Sequence, residues 1–394
     1  MGDIASLLGD WFNTIALYTL VTRLTGSPLA LGLVFITKML PFALASPLAG
    51  WIADRFDRRR LMIGADLARA IVVLGFLVVD EPSEVGLLYL LIALQVMIGA
   101  VFIPARSASI PNITTDRELL TANALAAATW SSLLAIGAAL GGFAAEVLGT
   151  DGVFLFDSGT YLFSALCILR ARIPRREAQA SGRGLREVWR QILDGWRLLF
   201  RRPEIGRIAV TKGSWSLAGG GLVFFLTLLG EEWMPQAPSV GIGLFFAARG
   251  LGTGIGPVAA RAWFPDERRW PLVMGCGIAA SGIVYFVLGH LPLGFALTAL
   301  VLLAHTFSGA NWVLSTVLLQ KRTEDAYRGR VFSSDWLLVT LADTVAILTA
   351  SLLLESGTLT LIPVLRIFAL AQFATGLAYL ALVVPREGRT PPPA

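Results

Sequence analysis

Charge, histidine and cysteine are scarce in this 394-residue sequence, and each shortage excludes something. Asp, Glu, Lys and Arg together make up only 15% of the chain, where a soluble domain carries about 25%. A water-soluble globular fold is thereby excluded. Two histidines and two cysteines leave no zinc or haem constellation, no H-E-x-x-H run and no disulfide framework. Cys167 and Cys276 lie in separate apolar runs, and we read them as buried core thiols. No glycine-rich phosphate loop is present, so nucleotide-driven pumping is excluded along with the common enzyme classes. The expectation is a chain with no metal, no cofactor and no catalytic residues. The net charge of +5 raises nucleic acid as a partner, but the placement of the charge argues against it.

What the chain does have is apolar length. It is 55% hydrophobic with a mean hydropathy of +0.70. Twelve runs reach the roughly 20 residues that cross a bilayer. They fall near 4–22, 30–53, 61–79, 86–105, 122–145, 152–169, 208–230, 240–263, 271–289, 292–319, 331–354 and 359–384. Backbone groups in lipid must be satisfied within the segment, and strand-type alternation is missing, so the spans are expected as helices. Glycine-rich stretches at 137–142 and 250–256 mark close helix contacts. The expected organisation is an all-α membrane protein of twelve transmembrane helices in two pseudo-symmetric six-helix halves, 1–172 and 207–385. A linker, 173–206, and a tail, 386–394, complete it. Leu185, Val188, Trp189, Ile192, Leu193, Trp196, Leu199 and Phe200 follow helical spacing in the linker. That pattern predicts an amphipathic helix on the cytoplasmic leaflet.

Most of the Lys and Arg fall in 54–60, 106–117, 170–207, 261–269, 321–330 and 386–389. The turns between these carry Asp80, Glu81, Glu84, Glu146, Asp151, Glu231, Glu232 and Glu355 instead. By the positive-inside rule both termini face the cytoplasm. The first apolar run continues into a hairpin without a cleavage site. Met1-Gly2-Asp3-Ile4-Ala5-Ser6 fits a myristoylation pattern, read as coincidental because a span begins at once, and a start further upstream is compatible with so short a leader. The second half echoes the first: Gly32-Leu33 corresponds to Gly243-Leu244, Lys38 to Arg249 and Arg58 to Arg269.

The densest charge lies between the second and third spans, at Gly50-Trp51-Ile52-Ala53-Asp54-Arg55-Phe56-Asp57-Arg58-Arg59-Arg60. Gly50 is read as allowing close helix approach, and Asp54 as bonding backbone or a nearby arginine. This stretch resembles the loop signature of the major facilitator superfamily, G-x-L-A-D-R-x-G-R-R. Gly50, Ala53, Asp54, Arg55, Arg58 and Arg59 match it, whereas Ile52 and Asp57 depart from it. Ser6-Leu7-Leu8-Gly9-Asp10, Pro104-Ala105-Arg106, Ala122-Asn123-Ala124-Leu125 and Arg328-Gly329-Arg330-Val331 resemble the bacterial branch of enterobactin exporters and macrolide efflux proteins. The resemblance implies parallel six-helix halves, a cavity lined by spans 1, 4, 7 and 10, and moving interfaces at span pairs 2/11 and 5/8. Two positions depart. Ala138 replaces the proline of G-P-x-x-G-G in span 5, and Gln95 stands where many drug antiporters carry an arginine in span 4.

Ionisable groups inside a membrane are costly and mark function by default. In span 1, Asp10 is the first candidate for a proton or cationic substrate, with Trp11 and Asn13 beside it. Lys212, Ser214 and Trp215 in span 7 and His305, Asn311 and Trp312 in span 10 are expected to face the same cavity. Asp66 and Arg69, spaced i,i+3, are expected to pair and to work with the 54–60 loop. Asp54 is expected to hold a cytoplasmic gate by engaging the start of span 11, where Arg328 and Arg330 lie. Lys38 and Asp343 fall at matching depth, about 12 Å from the outer face, and are expected to pair. Arg249, lacking a carboxylate at matching depth in span 5, is expected to meet carbonyls or an anionic substrate. Asp157 has no partner legible in the sequence.

These features point to a secondary active transporter of the bacterial inner membrane, monomeric and working by alternating access. The expected reaction is export of an amphipathic small molecule, of drug or siderophore type, exchanged for protons. Two alternatives stay open: a lipid or lysolipid translocator of the same fold, and a non-transporting receptor or membrane-embedded enzyme.

Overall fold

A computed structural model describes residues 2–113, 116–171 and 185–387, without the side chains of 54, 108, 110–113, 116–128, 185–189, 191–192 and 325–326. No strand occurs among the described residues. The spans are α1 (Gly2–Thr25), α2 (Pro28–Arg55), α3 (Arg58–Leu74), α4 (Val85–Ile113), α7 (Pro203–Trp233), α8 (Pro238–Trp263), α9 (Trp270–Leu288), α10 (Phe295–Arg322), α11 (Asp325–Glu355) and α12 (Leu361–Leu382). Residues 116–170 run as one helix except at Gly149, where φ is 71° and ψ 170°. Glycine adopts this backbone without steric cost, so a single residue divides α5 (116–148) from α6 (150–170). A longer turn was expected there. Among the described residues eleven helices are long and apolar enough to cross a membrane, and the one broken at Gly149 supplies two spans.

Local chemistry sets the helix ends. Ser27 accepts a hydrogen bond from the Ala30 amide at 3.0 Å and Pro28 occupies the first turn, starting α2. Asp57, the departure from the loop signature, N-caps α3 by accepting from the Arg60 amide at 2.9 Å. The carboxylate therefore makes a turn that the signature's glycine would leave uncapped. Outward-facing apolar side chains such as Ile71, Phe143, Val147, Leu251 and Val258 are exposed along the spans. On helices of this length they form the surface that lipid covers.

The chain divides into two compact units. The first comprises 1–188 with 234–243, and the second 189–233 with 244–394. In the first, α1 lies closely against α5 and α6. A Cβ on Gly141 would stand 2.9 Å from Phe12 Cα, and Gly9 abuts Asp157 and Thr160. Gly142 meets the Gly243 Cα of the 234–243 segment at 3.1 Å from where a Cβ would be. In the second, α8 crosses α10 through Gly252, Gly256 and Gly309. Its core joins Ile205, Ile208, Trp270, Met274, Leu314, Leu319, Val331 and Tyr379.

Two expectations need correction. The linker helix, Leu185–Arg201, does not keep its whole apolar face for a membrane. Leu199, Trp196 and Leu198 pack into the core of the second unit, and a Cβ on Gly195 would lie 2.9 Å from the Arg330 carbonyl carbon. Leu193 and Phe200 (78% exposed) remain outside. Cys276 is exposed and Cys167 half-buried, so neither is a buried core thiol. A thiol is apolar enough to face lipid without a partner.

Candidate functional site

Each unit holds its own set of buried and half-buried charges. In the first, helix spacing stacks Asp10 and Asn13 on one side of α1, opposite Asp157 and Tyr161 on α6. The Tyr161 hydroxyl donates to Asp10 Oδ1 and accepts from Gln95 Nε2 of α4 at 3.1 Å. Asn13 Nδ2 donates to Asp157 Oδ2 at 2.6 Å, and Thr160 Oγ1 lies 3.4 Å from Asp157 Oδ1. On α3, Arg69 Nη2 donates to Asp66 Oδ1 at 2.5 Å, and its guanidinium lies 4.3 Å over the Tyr161 ring and 4.9 Å over Phe102. Asp66 and Arg69 thus pair as expected, and the aromatic rings stacked on Arg69 are those of Tyr161 and Phe102. Lys38 on α2 interacts electrostatically with Asp10 and Asp157.

The second unit pairs its charges. Lys212 Nζ on α7 is 2.5 Å from Asp335 Oδ2 on α11, with the two residues 1% and 3% exposed. The same ammonium sits 4.4 Å over the Trp312 ring, which packs against Trp215 at 6.3 Å and Trp336 at 5.8 Å. Asp343 accepts from the Ser216 hydroxyl, and Arg249 acts on it electrostatically. The Arg249 guanidinium lies 5.7 Å over Phe246. His305 Nε2 and the Tyr285 hydroxyl share a hydrogen bond of 2.8 Å. Asn311, 1% exposed, has no hydrogen-bond partner for either side-chain amide atom among the described residues.

Lys38 and Asp343, expected to pair, thus each have oppositely charged neighbours within their own unit. Asp335, Tyr161 and the partners of Asp157 were missed by sequence reasoning. Asp335 lies among hydroxyls and tryptophan at the start of a span, and only the fold shows that Lys212 faces it.

The loop arginines serve helix ends. Arg59 Nε donates to the Ile168 carbonyl at 3.2 Å and a second nitrogen reaches the Leu169 carbonyl, capping α6. Arg55 lies 4.3 Å over Trp51, and Arg58 opens α3. A Cβ on Gly50 would meet no atom of the described residues within 4 Å, so no close approach is seen there among them. The side chain of Asp54 lies outside the described residues, as do those of 122–125. Arg330 stands 3.8 Å from Asp194 of the linker helix and 5.4 Å from the Tyr327 ring, and Arg328 Nε donates to the Gln320 carbonyl at 3.3 Å.

Long apolar helices in two units, each with ionisable groups sealed inside, define a multi-pass membrane protein of the transporter class. Residues 2–346 match the Major Facilitator Superfamily, and the chain belongs to that family. It is a membrane transporter of small molecules and not an enzyme. YfiS, an MFS-type transporter of Bacillus subtilis, is 25% identical over 383 residues, 89% of this chain and 84% of its own length. Macrolide efflux protein A of Streptococcus pyogenes is 22% identical over 359 residues, 89% of this chain and 87% of its own. The crystal structure of the nucleoside transporter NupG shares the fold, with a TM-score of 0.71 at 15% identity over 96% of this chain and 97% of its own.

Proposed function

We propose that the protein is a secondary active exporter of the bacterial inner membrane, with both termini cytoplasmic. It works as a monomer by alternating access and moves an amphipathic small molecule outward in exchange for protons. The observation that carries this reading is the polar cluster inside one unit that joins half-buried Asp10 and Lys38 to buried Asn13, Gln95, Asp157 and Tyr161. Carboxylates sealed in a bilayer persist where charge movement is part of the work. Likeness to a macrolide efflux protein supports the outward direction. Asp54 belongs to this reading as a gate residue acting with the arginines around it.

Accumulation of a panel of amphipathic drugs, macrolides included, in cells with and without the protein tests it. Lower accumulation with the protein, abolished by a proton uncoupler, is the expected result. Equal accumulation of every compound in both strains overturns export, and efflux indifferent to the uncoupler overturns the proton.

A further inference from the structure

Asp157 carries a problem that the exporter reading does not resolve. It is fully buried, and its side-chain hydrogen bonds among the described residues are to the Asn13 amide and the Thr160 hydroxyl, both uncharged. The charged groups that act on it are Asp10 from α1, Lys38 from α2 and Arg69 from α3. Tyr161 shares its own helix, α4 brings the neutral Gln95, and α5 packs Gly137 and Gly141 on Trp11 and Phe12 without charge. Arg69 is committed to Asp66 at 2.5 Å. Among the described residues Asp10 and Asp157 are then left with Lys38, one negative charge in excess. A net charge in a low-dielectric interior costs several kcal/mol and is neutralised where a proton is available.

A second observation says where the proton goes. Asn13 Oδ1 is buried with no hydrogen-bond partner among the described residues, although the same amide's nitrogen donates to Asp157. A carboxylate has nothing to give that oxygen, but a carboxylic acid has an O–H. Amide and acid then satisfy each other reciprocally. Asp10 differs in having the Tyr161 hydroxyl as donor and the Arg69 guanidinium stacked on that same ring.

We propose that Asp157 is a proton-binding site, its carboxylic acid hydrogen-bonded to Asn13, with the Tyr161 hydroxyl as the partner of Asp10. Loss of the proton to water breaks one O–H bond and leaves a second carboxylate. Lys38 is the cation available to it, so deprotonation draws α2 toward α6. Use of this site for coupling rests on the exporter reading, but occupancy of the site does not.

Infrared difference spectroscopy on the purified full chain in lipid nanodiscs, between acidic and alkaline buffer, reads the site without a substrate. Expected is a carboxylic-acid carbonyl band that Asp157→Asn removes and Asp10→Asn keeps. Should Asp157→Asn not fold, the wild type with carbon-13 at aspartate Cγ, together with Asn13→Leu, gives the answer: the band moves with the label and shifts when its amide partner is lost. No acid band, a band lost in Asp10→Asn but kept in Asp157→Asn, or a band displaced by sodium chloride but not choline chloride overturns the proposal. A proton on Asp157 combined with uncoupler-insensitive efflux overturns proton exchange and leaves the site standing.

Discussion

The two units solve the same problem with different charge balances. Within its spans the second sets Lys212 against Asp335 and Arg249 near Asp343, while at its helix ends Arg207 and Arg322 share Glu387. The first sets Asp10, Asp66 and Asp157 against Lys38 and Arg69, an acid too many. Lys38 and Arg249 are echoes of each other in sequence, and each acts on carboxylates of its own unit: Lys38 on Asp10 and Asp157, Arg249 on Asp343. A balanced buried set is a fixed strut, because breaking it strands a charge. An unbalanced set has room to take up and release a cation. Internal duplication thus provides two similar frames, and the polar residues added within them divide structural from exchangeable charge.

Four substitutions break or sharpen that contrast. Asp335→Asn is expected to have the largest effect, because it leaves Lys212 buried without a counter-ion and costs about 3–5 kcal/mol. Thermal unfolding in detergent measures it, and the double variant Lys212→Met with Asp335→Leu should recover most of the loss. Asp157→Asn is the control in the other unit, since an amide replaces a neutral acid. Equal losses in Asp335→Asn and Asp157→Asn would erase the distinction between balanced and unbalanced sets.

Tyr161→Phe comes next. It takes a hydroxyl from the Asp10 carboxylate and from Gln95 together, at about 1.5–3 kcal/mol. The same unfolding assay should show a loss to which Asp10→Leu adds less than its own single effect, since both changes remove the Tyr161–Asp10 hydrogen bond. Gly9→Ala forces a methyl into Asp157 and Thr160 and costs about 1–3 kcal/mol of overpacking. Its effect should be larger than that of Gly50→Ala, where no atom lies within reach of the added Cβ. Arg59→Ala should be the smallest, about 0.3–1 kcal/mol, because it removes a helix C-terminal cap at an exposed end. Hydrogen exchange confined to the last turn of α6 would report it better than global unfolding.

Much of the fold was legible because a bilayer enforces it. Any run of about 20 apolar residues must close its own hydrogen bonds as a helix, so twelve spans could be counted from hydropathy alone. The break at Gly149 was less visible, since a single left-handed residue ends one helix and starts the next without a polar turn. The i,i+3 pair Asp66–Arg69 could be read because both partners share a helix. Asp10, Asn13, Gln95, Lys212 and His305 could be named for the cost of their polarity in lipid, but not given partners.

By itself the sequence determined the class of protein, the number of spans, the loop signature and the positions of costly polar groups. Each of these depends on local composition or on residues near one another in the chain. Only the tertiary structure decided that Asn13 meets Asp157, that Tyr161 links Asp10 to Gln95, and that Lys212 faces Asp335. Hydropathy marks which side chains need a partner in a low-dielectric interior. Which partner each finds depends on how helices rotate and cross, and small residues such as Gly9 and Gly141 set that by letting backbones touch.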